Sequence, residues 1–393
     1  MKTQVAIIGA GNGGCAAAVD LTLRGFDVRL YGRTPGTLAP LKAREGIEYE
    51  GIFGEGTAKI PVITNDAAEA MRGADAVVAM APAQAHEDIA TLIAPHLTRD
   101  QAFLAAPGHT LTLIPRTLRR NGHANPVTCV TSTLPYICRK TGEGRVRVSR
   151  ASAKLRFAAF PAIRTQELAE RLRSLFPAIF PVPTVLDTLF PYTNAIHHPP
   201  ALLCNVGRVE STGGDYCHYY DGITPSVGTL IDRLDDERVA VARAYSCTID
   251  RLPEHFFQMG YTDDAGREGG TAYSTFHHSE PNRWIKAPAT IDHRFFNEDI
   301  PFGLVPFSEL GRLANIPTPV TDAVILLAST ITGKPYRETG LNVERMGIAS
   351  VPLRPLLGTV PVQAPDGLRV ARLEQVGADR LAERRVVDLD GDV

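Results

Sequence analysis

Two stretches of this chain hold residue types whose spacing suits proton transfer and the grip of an anionic substrate. The first is Asn194-Ala195-Ile196-His197-His198-Pro199-Pro200. Asn194 and His198 are four apart, so they share a face if the segment is helical, and the prolines suit the start of the next helix. The His198 imidazole can take up and return a proton near neutral pH, as reduction of a C=O or C=N group demands. A histidine base usually leans on a carboxylate that fixes its tautomer and stabilises its charged form. The candidate lies in the second stretch, Arg294-Phe295-Phe296-Asn297-Glu298-Asp299-Ile300-Pro301-Phe302-Gly303-Leu304-Val305-Pro306. There a polar cluster sits in apolar, Pro/Gly surroundings, and Arg294 offers a planar fork of donors that matches a carboxylate. Spacing alone leaves another account open: Arg294 and Asp299 as a structural ion pair, with His198 capping a helix.

A third motif concerns an anion of another kind. Gly9-Ala10-Gly11-Asn12-Gly13-Gly14 is G-x-G-x-x-G, set between the strand-like run Gln4–Ile8 and an Ala-rich helix, Cys15–Leu23, that stops at Gly25. In that setting the first glycine permits the turn, the second lets a pyrophosphate approach the backbone, and the third lets helix and strand pack closely. Gly9, Gly11, Asn12, Gly13 and Gly14 are therefore the expected dinucleotide-binding residues. The second strand, Phe26–Tyr31, ends in Gly32-Arg33-Thr34 with no carboxylate to accept from a ribose 2′-hydroxyl. Asp27 reads as part of the turn after Gly25. Arg33 and Thr34 suit a 2′-phosphate, which favours NADP(H), with NAD(H) as the second choice. Otherwise Arg33 is a solvated charge.

The elements that must carry these residues alternate in type. Strand candidates at Ala76–Met80, Ala102–Ala106 and Val127–Val130 are separated by helix-like stretches such as His86–Leu97 and Thr110–Arg120, which argues for a doubly wound parallel sheet. Arg145–Ser149 and Ala153–Ala158 extend that sheet, Thr165–Leu175 closes it as a helix, and the Pro-rich Phe176–Pro183 reads as a linker. Helices follow at Pro199–Glu210, Ser226–Leu252 and Val320–Thr332, the long apolar stripe of the second being core or dimer interface. The division is a Rossmann cofactor domain over 1–180, a helical substrate-binding and catalytic domain over 181–350, and a tail, 351–393, with no assigned task.

Four motifs in order resemble those of the octopine/nopaline (opine) dehydrogenase family. These are the glycine loop, N-x-x-x-H-P-P at Asn194–Pro200, R-x-x-x-E-D-[IV]-P-x-G-L-V-P at Arg294–Pro306, and T-L-P-[WY]-x-C-R at Thr133–Arg139. The resemblance implies a Rossmann sheet plus an all-helical C-terminal domain of the 6-phosphogluconate dehydrogenase type. It also implies NAD(P)H-dependent reductive condensation of an amino acid amine with a 2-oxo acid through an imine. In those terms His198 is the acid–base, Asp299 its partner, Asn194 an orienting amide and Arg294 the ligand of a substrate carboxylate. Tyr136, in T-L-P-[WY]-x-C-R, and Trp284, the single tryptophan, join the expected substrate-binding residues, Trp284 being equally readable as core or interface. Many relatives carry a Glu directly before T-L-P where this chain has Ser132.

Composition narrows the rivals. Lys+Arg 41 against Asp+Glu 43 leaves a net charge of −2, without the basic field that nucleic acid or an anionic membrane requires. The six cysteines include no C-x-x-C pair, His277, His278 and His293 lack metal-ligand spacing, and Cys138 reads as packing. With no apolar run of about 18 residues and no signal-peptide pattern, the expected setting is the cytoplasm. The alternatives are a metallophore-type relative acting on a nicotianamine-like amine, a simple 2-oxo acid reductase, or an NADP(H)-binding sensor without turnover.

Overall fold

The computed structural model describes residues 2–348, so the expected tail lies outside the described residues. Twelve strands occur among them: β1 (Gln4–Ile8), β2 (Asp27–Tyr31), β3 (Gly46–Gly51), β4 (Gly56–Lys59), β5 (Val62–Thr64), β6 (Ala76–Ala79), β7 (Ala102–Ala105), β8 (Thr128–Thr131), β9 (Tyr136–Gly142), β10 (Arg145–Ala151), β11 (Leu155–Phe160) and β12 (Ile179–Pro181). Eight form one sheet in the order β5-β2-β1-β6-β7-β8-β11-β12. From β5 to β8 all pairings are parallel, β11 runs antiparallel to β8, and β12 is parallel to β11. β1 is central because every residue from Val5 to Ile8 is buried, as a strand covered on both faces must be.

The second sheet, β4-β3-β10-β9, corrects one expectation. β10, expected to extend the main sheet, pairs instead with β3 and β9. The reason is the neighbouring helix α1 (Asn12–Leu23), which is buried continuously from Gly13 to Val19 with no charged or amide side chain in that stretch. An α-helix apolar all round must be covered all round. Ala16, Ala17 and Ala18 share one core with Ile7 and Leu30 of the main sheet and with Ile47, Val146 and Val148 of the second. α1 also begins three residues before the Ala-rich run, inside the glycine motif itself.

The Pro-rich stretch is likewise no linker, since β12 within it completes the sheet edge. Beyond β12 the described residues form helices and turns, joined by a lone bridge between Cys217 and Lys286. The helix expected from Pro199 starts at Asn194 and ends at Leu203, with Pro199 and Pro200 inside it. The long helix stops at Ala244, short of Leu252, and Ser246 adopts a positive φ of 58°. Within it Arg238 and Asp235, 1% exposed each, pair at 2.6 Å; Arg238 also donates to Phe190 O and Asp235 accepts from Leu252 N–H. This buried pair ties the segment entering the Asn194 helix to the helical core. That core is continuous with the other face of the main sheet, where Phe190 and Ile196 join Ile8, Val77 and Phe103. No helix among the described residues is long and apolar enough to cross a membrane.

Candidate active site

The glycine loop has the geometry that its motif requires. Gly9 has φ 118°, and a Cβ there would lie 2.7 Å from Met80 O; a Cβ on Gly14 would lie 1.7 Å from Gly9 O. A Cβ on Gly11 would meet nothing within 4 Å, so that side of its backbone is open to a ligand. The first intrahelical bond of α1 is Cys15 N–H to Gly11 O at 3.0 Å, which leaves the N–H groups of Asn12, Gly13 and Gly14 outside the helical ladder. Donors and helix dipole then face the same open space, a cradle for a pyrophosphate. The Asn12 side chain is used otherwise: its Oδ1 accepts from Lys140 N–H at 2.9 Å, pinning β9 over the loop. Arg33 and Thr34 are exposed just past β2, and neither side chain makes a hydrogen bond among the described residues. Asp27 is not in a turn but opens β2, at the far end of the strand, where it accepts from Gln4.

The second half of the site is assembled from separate segments. Asn194 and His198 do lie one turn apart on a helix. From there His198 Nδ1 meets Asp299 Oδ2 at 2.7 Å, with Asp299 0% and His198 6% exposed. Gly303 makes this approach possible. Asp299 begins a π-helical turn, Ile300–Leu304, and a Cβ on Gly303 would come within 2.4 Å of the Ala195 Cβ. Tyr192 donates to Asp299 Oδ1, Tyr219 sits 2.7 Å from His198 Nε2, and Phe295 stacks on the imidazole with centroids 3.9 Å apart. Burial pushes Asp299 up to about 7 and pushes His198 well below its usual value, helped by the Arg294 and His293 charges. Both partners are thus driven toward their neutral forms, which primes the pair to share one proton.

Arg294 does not pair with Asp299. Its Nη2 lies 2.9 Å from Glu298 Oε2, and its side chain remains 55% exposed. Glu298 Oε1 in turn accepts from Ala83 N–H at 3.2 Å, in the loop after β6. His109, in the loop after β7, stacks on Tyr192 at 4.0 Å. The cluster therefore sits over the carboxyl ends of parallel strands, where open α/β sheets hold their ligands. Asn194 is half-buried and its amide makes no hydrogen bond among the described residues.

Two expected substrate contacts stand elsewhere. Tyr136 is 6% exposed and donates to Asp20 Oδ2 on α1 at 2.7 Å, so it fastens the second sheet to the helix. Trp284 is 70% exposed with Arg283 over its ring, and makes no contact with His198, Asp299 or Arg294 among those described. Ser132, in place of the relatives' Glu, bonds through its backbone to Arg156 O. Burial raises the Cys138 thiol to about 11, which suits a packing residue. Sequence reasoning missed Tyr192 and Tyr219. The available signals were the position of Tyr192 two residues before Asn194 and the ring-rich run Tyr216-Cys217-His218-Tyr219-Tyr220.

Comparison with known proteins meets this geometry from outside. Residues 181–332 match the model of the NAD/NADP octopine/nopaline dehydrogenase alpha-helical domain, and residues 5–132 match that of ketopantoate reductase PanE/ApbA. An opine dehydrogenase of Arthrobacter sp. (strain 1C) is 33% identical over 88% of this chain and 95% of its own length. The chain belongs to the opine dehydrogenase family. As a member it is an oxidoreductase of the CH–NH class, joining an amine to a 2-oxo acid by reduction with a nicotinamide nucleotide. Protein ocs of Agrobacterium vitis is 24% identical over the same share of each chain. The fold agrees: a structure of octopine dehydrogenase with NADH and agmatine superposes with TM-score 0.74 at 19% identity, covering 93% of this chain and 100% of that one. Yersinopine dehydrogenase with NADP+ bound gives 0.68 at 14% identity, over 90% and 99%.

Proposed function

We propose that this opine dehydrogenase uses NADPH and that His198 moves protons at the reacting centre. The carrying observation is the buried His198–Asp299 pair, 2.7 Å apart, at the carboxyl edge of the parallel strands. An amino acid amine adds to a 2-oxo acid and water is lost to give an iminium; a reduced nicotinamide bound beside it would supply the hydride for the N-(carboxyalkyl) amino acid. Gly9 to Gly14 would hold its pyrophosphate, with Arg33 and Thr34 at the 2′-phosphate. Asp299 orients His198 and shares its proton, while Arg294 and Asn194 position carboxylates. Glu298 holds the Arg294 Nη2 at 2.9 Å, and the exposed remainder of the guanidinium would face the substrate. In this reading 1–180 serve the cofactor and 181–350 the chemistry, in a cytoplasmic homodimer.

The test is a matrix of amino acids against pyruvate, glyoxylate and 2-oxoglutarate, followed by NADPH absorbance. Consumption that needs both partners and collapses in His198→Ala is the expected result. Oxidation with the oxo acid alone would indicate a simple reductase, turnover only with a nicotianamine-like amine the metallophore variant, and none at all a sensor. Michaelis constants for NADPH and NADH, repeated in Arg33→Ala, check the cofactor assignment; an NADH preference unchanged in the variant rejects it.

A further inference from the structure

We propose that Tyr219 is itself a catalytic acid–base, the group through which His198 exchanges protons with the substrate. The inference rests on the opine dehydrogenase reading of the site. His198 has two ring nitrogens, and both are occupied: Nδ1 by Asp299 and Nε2 by the Tyr219 hydroxyl, each at 2.7 Å. When Nδ1–H donates to the carboxylate, Nε2 accepts from the phenol. The imidazole therefore presents no free nitrogen, and the hydrogen-bonded chain Tyr192–Asp299–His198–Tyr219 ends, beyond His198, at the phenolic oxygen. That oxygen has no other protein partner among the described residues, so one lone-pair direction is open.

The ring is held as a positioned group should be. Tyr219 is 6% exposed and stacks on buried Phe276 with centroids 5.2 Å apart and planes 6° from parallel. Its backbone lies in a tight turn: Asp221 Oδ2 caps Cys217 N–H at 2.7 Å, Ile223 N–H returns to Tyr219 O at 3.0 Å, and a Cβ on Gly222 would lie 2.2 Å from His218 O. Asp299, Tyr192, Arg294, His293, His197, His218 and Arg139 are charged or titratable groups around the pair. Burial and the Asp299 charge hold the phenol well above its ordinary range, so phenolate does not accumulate and a proton that leaves must be replaced from His198 in the same event.

The step that needs this acid is loss of water from the carbinolamine. The amine lone pair forms the second C–N bond, the C–O bond breaks, and the departing hydroxyl takes the Tyr219 proton and leaves as water. Tyr219 recovers a proton from His198 Nε2 as the proton shared with Asp299 passes to Nδ1, so His198 stays neutral, Asp299 ends ionised and the positive charge appears on the iminium. No electrons are transferred until hydride arrives.

Tyr219→Phe keeps the stacked ring and removes only the relay. The expected result is a fall in kcat of about 10²–10³, with NADPH affinity within twofold of wild type and a bowed proton inventory on kcat becoming linear. A fluorotyrosine at 219, which keeps both ring and hydroxyl, should move the basic limb of the kcat–pH profile downward. An unchanged kcat and inventory in Tyr219→Phe, a lower amino acid KM with faster turnover, or an unmoved limb would each overturn the relay. Wild-type NADPH oxidation with the oxo acid alone would sink the opine reading while leaving the relay testable, since carbonyl reduction also needs a proton. Inactivity across the whole matrix would remove both.

Discussion

The glycine loop and the His198 cluster are built on opposite principles. The loop works through backbone, within six consecutive residues, and its demands are steric: a missing Cβ at Gly9 and Gly14, open space at Gly11. The cluster works through side chains delivered from 192–198, 219 and 294–299, and its demands are electrostatic, set by complete burial of Asp299. A backbone device fails when a single atom is added. A side-chain device fails when a distant contact shifts, because its geometry is held by packing.

Breaking the loop should give the largest effect. Gly14→Ala forces a Cβ onto the Gly9 carbonyl, so we expect a loss of more than about 3 kcal/mol of stability and no cofactor binding, read by thermal melting and NADPH titration. Gly11→Ala separates the two roles: an unchanged melt but NADPH binding weaker by about 1.5–3 kcal/mol, the worth of a charge-assisted hydrogen bond. On the cluster side, Asp299→Asn should cost about 10²–10⁴ in kcat while leaving NADPH affinity alone. Gly303→Ala tests whether distant packing places the acid. The added methyl meets Ala195, and a shift of about 1 Å should lower kcat by roughly 10²-fold with about 1–3 kcal/mol of destabilisation.

Acid should unfold the cluster's surroundings before the loop's. Three fully buried histidines have lowered pKa values, His86 to about 4 and His109 and His218 to about 3. Each contributes stability that is present above its unfolded value of 6.5 and lost as pH falls toward its folded one. The slope is about 1.4 kcal/mol per pH unit for each. Asp299, raised from 3.8 to about 7, acts in the opposite sense, giving stability that is lost as pH rises through 7. Histidines outnumber it, so the urea midpoint should fall from pH 7 to pH 5, and Asp299→Asn should steepen the fall. The smallest effect belongs to Tyr136→Phe: about 1 kcal/mol of stability from the lost Asp20 hydrogen bond, with kcat unchanged, since that residue serves the fold.

These contrasts explain what could be read in advance. β1, β6, β7 and β8 were legible because they are short, largely apolar runs, each nearly all buried, and β2 because buried Val28 and Leu30 alternate with half-buried Asp27 and Arg29. The second sheet was not, because β10 alternates buried Val146 and Val148 with exposed charges, a pattern that says strand without naming its partner. β12 hid among prolines that an edge strand tolerates. His198 and Asp299 were legible as residue types in motifs, but spacing left Asp299 as open to Arg294 as to His198. Burial decided it, together with Glu298, which takes the arginine and frees the aspartate. Tyr192 and Tyr219 acquire their roles only from tertiary placement, which no local pattern encodes.

The enclosure of α1 sets a timetable for the chain as it leaves the ribosome. Its outer cover includes β9 and β10, made only when Tyr136–Ala151 have been translated. Until then the Ala-rich stretch of α1 has water or a chaperone for its missing neighbour. The glycine loop, though made first, is thus among the later elements of its domain to settle. A nascent chain halted before residue 136 should remain protease-sensitive at a segment that is buried in the finished enzyme.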